Sequence, residues 1–490
     1  DATSTLDMSA SDATLVSLDV ATGIVSTIDK AENTTTRVTA TAGTPTVEVK
    51  LGDATGTADA TTIELKGANA GAINDGLVLK TDDIETVTIA SSTAGVNESI
   101  SLASLAMTAA TKTMALNVTG VGGVTITALG ADVTSIDAST KLAGAVVQTG
   151  RSSTATADYK GGAGDDTFIM LAEADSLTGG SNTTTTTAVA GDTLDINFAA
   201  ILGGISINLS ADDQVVSMNG SANTAVQSGF ESVDLAGYTS FGASIVGSKV
   251  ANHITGTASI DSINGGLGDD VIKVNTGTVA NNDIMNGGGG TDTLDIGAGL
   301  TVTIDNDTDL VSVENINFAG AGALVFTNQT EAFTITETLT SDSDVSITID
   351  AGNGAITFTS GNAADTDALV VPASEDSVHT FNGFVAGNGK DKFNLQAHKG
   401  GAYTAANAAA TANPGSATPV DDDVTMLVDI TGNQDITTAA GLTVAVAAGG
   451  EYANIDAGNN KKGVFVTAVD QAAGTDQHVF TWTSNGAGVI

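Results

Sequence analysis

The chain has 490 residues and a formal net charge of −41, from 57 acidic and only 16 basic side chains. Such an excess of negative charge excludes nucleic acid and anionic membranes as partners and favours cations. The chain has no cysteine, which excludes disulfides and thiol chemistry, and its four histidines leave little to bind a transition metal.

Residues 1–150 are predicted to form a β-rich N-terminal region. Short segments of alternating polar and apolar residues recur there, and Ser, Thr, Gly and Asn separate them; they include TVEVKL at 46–51, ETVTIAS at 85–91 and GVTITALG at 123–130. Alternation of this kind is typical of half-buried strands. The best candidate for a helix, residues 98–116, is weak. The fold class is therefore expected to be all-β.

Residues 151–320 contain an internal duplication. DTLDI occurs at 192–196 and again at 292–296, and each copy is followed by a strand that opens on a glutamate, Glu231 and Glu314. A related strand begins at Glu85. Repetition of a strand unit in this manner predicts a scaffold of stacked β-coils. A third region, residues 321–490, is predicted to be β-rich as well.

A nine-residue frame, G-G-x-G-x-D-x-U-x with U a large apolar residue, fits the sequence three times without exception. The matches begin at residues 161, 265 and 287, with Asp166, Asp270 and Asp292 in the sixth position. Degenerate frames in the same register supply Asp175, Asp261 and Asp283. The eighth residues, Phe168, Ile272 and Leu294, are expected to point inward. Two frames make one coil, so stacked turns should lie eighteen residues apart, as Gly161 and Gly179 do.

Glycine permits positive φ angles and close approach of backbones, while aspartate supplies charge. Oxygens from stacked turns would suit calcium, which takes six to eight oxygen ligands in flexible geometry. The alternative is ordinary β-turn chemistry, which also uses Gly and Asp. The candidate calcium-binding positions are Gly161, Gly162, Gly164, Asp166, Asp175, Gly179, Asp261, Gly265, Gly266, Gly268, Asp270, Asp283, Gly287, Gly288, Gly290 and Asp292.

These frames resemble the repeats-in-toxin (RTX) family of secreted calcium-binding proteins. Together with the DTLDI strands and the acidic, cysteine-free composition, the chain is most similar to the bacterial surface-layer (S-layer) members of that family. The resemblance implies an elongated right-handed parallel β-helix or β-roll, with the possibility of several β sub-domains. It also implies type I secretion, folding in external calcium, and an extracellular location on the bacterial cell surface.

The expected function is a structural one, namely calcium-dependent self-assembly into a two-dimensional homo-oligomeric lattice. The sequence contains no HExxH, GxSxG or GxxxxGK[ST] motif, and we therefore expect no enzymatic activity. An RTX-type adhesin or matrix protein is the main alternative, and a secreted hydrolase ranks below it. Attachment to a cell-surface polysaccharide would use a region outside this chain, and no membrane span is expected.

Overall fold

The structure is a computed structural model in which every regular element is a β-strand. It describes residues 3–21, 23–29, 34–40, 44–53, 55–65, 73–91, 99–108, 112–152, 156–181, 191–197, 203–238, 241–274, 283–327, 329–338, 344–349, 354–361, 367–370, 379–382, 392–394, 409–410, 424–429, 462–469 and 477–483. Among these residues no helix is present, and hence none that is long and apolar enough to cross a membrane.

The chain divides into two compact units. Unit 1 comprises Asp1–Thr257 and Gly265–Asp270, and unit 2 comprises Ala258–Asn264 and Val271–Ile490. The strands before residue 258 are β1 (Thr3–Asp7), β2 (Leu15–Val20), β3 (Val25–Asp29), β4 (Thr35–Ala40), β5 (Thr46–Val49), β6 (Ala60–Leu65), β7 (Ile73–Thr81), β8 (Thr86–Ser91), β9 (Ser99–Met107), β10 (Met114–Gly120), β11 (Gly123–Ile126), β12 (Val133–Asp137), β13 (Val146–Gln148), β14 (Asp158–Lys160), β15 (Thr167–Met170), β16 (Ser176–Thr178), β17 (Thr193–Ile196), β18 (Ile205–Asn208), β19 (Val215–Met218), β20 (Ser221–Ala222), β21 (Gln227–Ser228), β22 (Ser232–Asp234), β23 (Ala243–Ser248) and β24 (His253–Thr255).

The later strands are β25 (Ser262–Leu267), β26 (Val271–Val274), β27 (Ile284–Gly289), β28 (Thr293–Ile296), β29 (Thr301–Ile304), β30 (Leu310–Val311), β31 (Asn315–Phe318), β32 (Gly322–Phe326), β33 (Phe333–Glu337), β34 (Val345–Thr348), β35 (Ile356–Thr359), β36 (Ala368–Val370), β37 (His379–Asn382), β38 (Lys392–Asn394), β39 (Ala409–Ala410), β40 (Val424–Asp429), β41 (Lys462–Val469) and β42 (Gln477–Thr483).

Unit 1 is a parallel β-solenoid, in which successive coils add strands to the same sheets. One sheet runs through the odd-numbered strands from β1 to β17 and continues with β22 and β24. The other runs through the even-numbered strands from β2 to β16 and ends with β21. Unit 1 also contains β18, β19, β20 and β23, which are hydrogen-bonded within another sheet, and the β18–β19 pair is antiparallel.

The core of unit 1 consists of columns of buried side chains that stack from coil to coil. In one column Val87, Leu116, Ile136, Tyr159 and Leu177 occupy equivalent rungs, and all are nearly or fully buried. The alternation of the sequence explains this arrangement, because every second residue of a strand points to the same face. Neighbouring coils cover each buried side chain above and below, so the column excludes water.

Unit 2 is built on the same principle. One parallel sheet contains β26, β28, β31, β33, β35 and β37, and a second contains β29, β32, β34, β36 and β38. The inward column of Ile272, Leu294, Ile316, Ile335 and Phe358 is buried. Strand β42 pairs antiparallel with β37 and β41.

The structure confirms the all-β prediction and the parallel β-solenoid. Both DTLDI segments lie in equivalent strands, β17 and β28, and the inward positions Phe168, Ile272 and Leu294 are buried as predicted. The weak helix candidate at 98–116 was wrong, because its described part contributes β9 and the start of β10. The division between the units falls within the region predicted as 151–320.

Candidate functional site

The glycine pair of the first frame lies in the turn between β14 and β15, whereas those of the other two frames lie in β25 and β27. Backbones of consecutive coils approach closely at these glycines. A methyl group on Gly161 would lie 1.6 Å from the carbonyl oxygen of Gly179 and 2.4 Å from Oδ2 of Asp166. At Gly287 the corresponding distances are 2.1 Å to the Ser312 carbonyl and 2.4 Å to Asp292 Oδ2. The first glycine of the frame is thus required for space. The eighteen-residue stacking of Gly161 on Gly179 is confirmed.

Later glycines of the frame are required for backbone conformation. Gly266 and Gly268 have φ angles of 106° and 110°, and Gly288 has a φ of 102°. Gly164 and Gly290 also lie at positive φ, at 145° and 153°. L-residues rarely adopt such angles, so these positions favour glycine. The sequence had predicted both requirements, positive φ and close backbone approach, without indicating which glycine met which.

The sixth-position aspartates point into the solenoid rather than into solvent. Asp166, Asp270 and Asp292 are each at most 1% exposed. The carboxylate of Asp166 folds back over its own turn, where Oδ2 accepts the N–H of Gly162 at 2.7 Å and Oδ1 accepts the N–H of Val146 at 2.5 Å. Asp166 therefore closes its own turn and also bonds to the preceding coil.

Acidic side chains around Asp166 form a ladder in which one coil donates a backbone N–H to the carboxylate of the next. The N–H of Asp166 donates to Asp192 Oδ1 at 2.7 Å, and that of Asp192 donates to Glu231 Oε2 at 3.0 Å. We call these three residues the carboxylate ladder. Interior backbone donors must be satisfied, and a carboxylate is a strong acceptor for them.

The same contact explains the recurring glutamate strands. Glu85, Glu231 and Glu314 each accept a backbone N–H from an aspartate one coil earlier, at 3.0, 3.0 and 2.8 Å. The donors are Asp59, Asp192 and Asp292, respectively. The sequence revealed the recurrence of the glutamates but not this role, because the donor and acceptor are 22 to 39 residues apart.

The remaining predicted positions occur in two other arrangements. Asn252 takes the place of an aspartate one coil before Asp270, and its N–H donates to Asp270 Oδ1 at 2.7 Å. The carbonyl oxygen of Gly265 lies beside Gly247, where a methyl group would meet it at 1.8 Å. In unit 2, the N–H of Asp261 donates to Asp283 Oδ1 at 2.8 Å. Each predicted aspartate is thus paired with a neighbouring coil.

Asp175 differs from the others because a side-chain cation already neutralises it. Its Oδ2 lies 2.6 Å from Arg151 Nη2, and the two side chains are 0% and 3% exposed. The carboxylate also accepts N–H groups from Ala157, Leu171 and Ala172. Sequence reasoning missed Arg151, which lies 24 residues away. A carboxylate with these donors does not fit a metal site.

Replacing Asp175 with alanine is expected to destabilise unit 1 by about 3 kcal/mol, because it leaves the Arg151 guanidinium buried without its counter-charge. Three backbone N–H groups lose their acceptor as well. Urea denaturation followed by circular dichroism measures the loss. Asp158→Ala is the matched control, since the Asp158–Lys160 pair is 3.8 Å long with both side chains about half exposed. Equal stabilities of the two variants would contradict the importance of the Arg151 pair.

The carboxylate ladder brings acidic groups together in the interior, where Lys141 is close enough to Asp166 to favour its charged form. Burial raises the pKa of Asp192 to about 8 and that of Asp166 to about 6, with the neighbouring carboxylates adding to the rise at Asp192. In strand β17, which follows Asp192, burial raises the pKa of Asp195 to about 6, and the nearby Asp234 adds to this rise. The charged form of each group is therefore disfavoured, and a cation nearby would relieve the repulsion.

The acidic side chains of the described residues do not form a calcium site by themselves. Among the residues that the structure describes, no group of three or more His, Asp or Glu side chains could hold a metal ion. An ion here would therefore need backbone carbonyls as ligands. Asp192 offers the best fit, because its Oδ2 is buried and accepts no hydrogen bond from any described residue. Oδ2 and the Gly229 carbonyl oxygen lie 2.8 and 2.2 Å from the position of a Cβ on Gly179.

Comparisons of the chain with protein families, curated proteins and solved structures found no match.

Proposed function

We propose that this chain is an extracellular structural protein that folds and assembles into a calcium-dependent two-dimensional lattice on the bacterial cell surface. The observation that carries the proposal is the carboxylate ladder, in which stacked coils bring like charges together inside the solenoid. Such an arrangement is costly unless the carboxylates are protonated or a cation is bound. Calcium is abundant outside the cell, so the cost of bringing these carboxylates together would restrict folding to the extracellular space.

Calcium would be held beside Asp192, with its Oδ2 and the Gly229 carbonyl as oxygen ligands and the charges of Asp166 and Glu231 nearby. When bound, the ion supplies positive charge that offsets the mutual repulsion of these side chains. Asp270, Asp283 and Asp292 are the corresponding positions in other coils. Extracellular calcium modules bind with dissociation constants of about 10⁻⁴ to 10⁻³ M. Several such sites together can decide whether the coils fold.

Assembly is supported by exposed apolar side chains on the same unit. Val216, Val226, Val246, Val250 and Leu267 are all between 43% and 56% exposed. All of them belong to unit 1, the four valines before residue 258 and Leu267 in the segment Gly265–Asp270. Exposed apolar surface favours association between copies. Surface carboxylates on neighbouring copies would repel one another unless divalent ions bridge them, so calcium would act on assembly as well as on folding.

The purified chain is expected to form ordered arrays in millimolar calcium and to disperse when a chelator is added. Negative-stain electron microscopy shows the arrays, and light scattering follows their loss. Sodium chloride at the same ionic strength is the control for charge screening, and magnesium is the control for ion type, because it demands a smaller and more rigid octahedral site.

Arrays that persist in chelator would contradict the role of calcium. A chain that folds in calcium but stays monomeric at high concentration would instead support the adhesin alternative.

A further inference from the structure

Lys112 lies at a corner of unit 1 that is remote in sequence from the glycine-aspartate frames. Its ammonium group is surrounded by oxygens from the two preceding coils. Nζ lies 2.8 Å from the Gly56 carbonyl and 3.2 Å from the Asp83 carbonyl. It lies 2.7 Å from Glu85 Oε1 and 3.4 Å from Asp59 Oδ2. Two carbonyls and two carboxylates thus face one positive charge.

The register of the strands explains why a cation is needed there. Ala60 of β6 pairs with Thr86 of β8, so Asp59 and Glu85, the residues just before them, are stacked on adjacent coils. Their backbones and side chains are also linked, because the Asp59 N–H donates to Glu85 Oε2. Two like charges at this spacing repel each other. Lys112 comes from the next coil, just before β10, and is placed to neutralise both.

The backbone conformation at this corner is also unusual. Asp83, whose carbonyl is one of the ligands, has a φ of 49°, a conformation that is uncommon for residues other than glycine. The loops of three successive coils therefore converge on one ammonium group.

Lys141, which lies between β12 and β13, also places its ammonium group among backbone carbonyls. Its side chain is buried, and Nζ donates to the Gly122 carbonyl at 2.6 Å and also to the Ala143 carbonyl. The chain has only 16 basic residues, and at both of these positions one of them lies among backbone carbonyls of the corner loops. Corner loops of unit 1 thus present oxygens inward as a recurring feature.

We propose that the corner formed by Gly56, Asp59, Asp83 and Glu85 is a cation site that Lys112 fills with a tethered ammonium, and that a hard divalent cation such as calcium binds there once the amine is removed. Carbonyl and carboxylate oxygens are the ligands that calcium prefers, at about 2.3 to 2.6 Å. The oxygens would have to move inward by less than about 1 Å to reach these distances. The natural protein needs no free ion at this corner, which distinguishes it from the carboxylate ladder.

The test compares Lys112→Ala, which empties the site, with Lys112→Met, which removes the charge but fills the space. Calcium binding to the full chain is measured by isothermal titration calorimetry. Thermal unfolding is recorded in chelator and in about 0.5 to 10 mM calcium, which is five to ten times the Kd of extracellular calcium sites. We expect Lys112→Ala to bind one more calcium ion than the wild type. Its loss of thermal stability in chelator should be largely restored by calcium but not by the same concentration of magnesium.

Lys112→Met is expected to lose the same stability in chelator, to gain no ion and to show no rescue beyond that of the wild type. Lys160→Ala controls for loss of an exposed lysine, since that side chain is 51% exposed. Equal calcium stoichiometry in wild type and Lys112→Ala, with no specific rescue, would overturn the proposal. The readout is a difference from the wild type, so it holds whether or not the wild type itself binds calcium. Failure of the lattice proposal is therefore distinguishable from failure of this one.

Discussion

Replacing Gly161 with alanine is expected to destabilise unit 1 by more than about 4 kcal/mol. The added methyl group would lie 1.6 Å from the Gly179 carbonyl oxygen and 2.4 Å from Asp166 Oδ2. The nearest obstacle is backbone rather than the end of a flexible side chain, so the coils must separate to admit the methyl group. Separation breaks the Gly161 N–H bond to the Thr178 carbonyl, which is 2.8 Å long. It also moves the Asp166 carboxylate off the N–H of Gly162.

The measurement is urea denaturation of the full chain, monitored by circular dichroism in calcium and in chelator. Gly204→Ala is the matched control, because a methyl group there would meet only the Gly242 carbonyl, at 3.2 Å. Neither glycine lies in the positive-φ region, so the comparison isolates steric contact from backbone conformation. If the two variants unfold at the same urea concentration, the frame's first glycine has no steric role.

Much of the fold could be predicted because it is local in the sequence. Alternation in segments such as residues 86–91 identifies both the strands and their buried faces, since a strand has a period of two. That some glycines of the frame take positive φ could be predicted as well, although not that these include Gly266 and Gly288. The eighteen-residue spacing of Gly161 and Gly179 follows from two frames per coil, and the structure stacks these residues as expected.

The coil length could not be predicted throughout. Phe168 pairs with Leu194, 26 residues later, and Leu194 pairs with Val233, 39 residues later. The second interval contains the antiparallel β18–β19 pair, which interrupts the repeat without breaking the stack. A parallel β-solenoid tolerates such insertions because they lie at corners, while the strands on either side keep their register. An eighteen-residue repeat applied to the whole chain would therefore overestimate the number of coils.

The roles of the acidic residues could be predicted least. The sequence placed Asp166 and Asp175 at the sixth positions of consecutive frames, yet Asp166 lies in the carboxylate ladder and Asp175 pairs with Arg151. The difference depends on which residues the neighbouring coils place opposite each carboxylate, and these are 18 to 26 residues away. A short motif carries no information on such partners. Asp192, which no frame contains, became the best candidate ligand for the same reason.

In chelator, the free energy of unfolding of unit 1 is expected to fall as the pH rises from about 4 to 8. Burial raises the pKa of Asp192 from 3.8 to about 8 and that of Asp166 and Asp195 to about 6. Between the unfolded and folded pKa values the folded state binds more protons than the unfolded state. The stabilisation is therefore complete below pH 4 and is lost as the pH rises through the folded values. Asp192 alone should contribute on the order of 5 kcal/mol.

Asp192→Asn is expected to remove most of this slope and to raise the stability at pH 8, because the amide stays neutral while its oxygen can still accept the Asp166 N–H. Urea denaturation at a series of pH values in chelator measures the slope. Asp158→Asn is the control, since that carboxylate is 56% exposed. Equal slopes in the wild type and Asp192→Asn would show that protonation of Asp192 does not cause the pH dependence of stability.

Calcium should act on the same slope in the opposite direction. An ion bound at Asp192 favours the charged forms of Asp192 and of the neighbouring Asp166 and Glu231, so it lowers the pKa values of these groups and competes with the proton on Asp192. We therefore expect calcium to stabilise the wild type most at pH 8 and least at pH 4, so that the dependence of stability on pH flattens in millimolar calcium. Asp192→Asn should gain less from calcium at pH 8 than the wild type does. Calcium stabilisation that is independent of pH, and equal in both proteins, would place the ion away from the carboxylate ladder and leave the surface carboxylates as its binding sites.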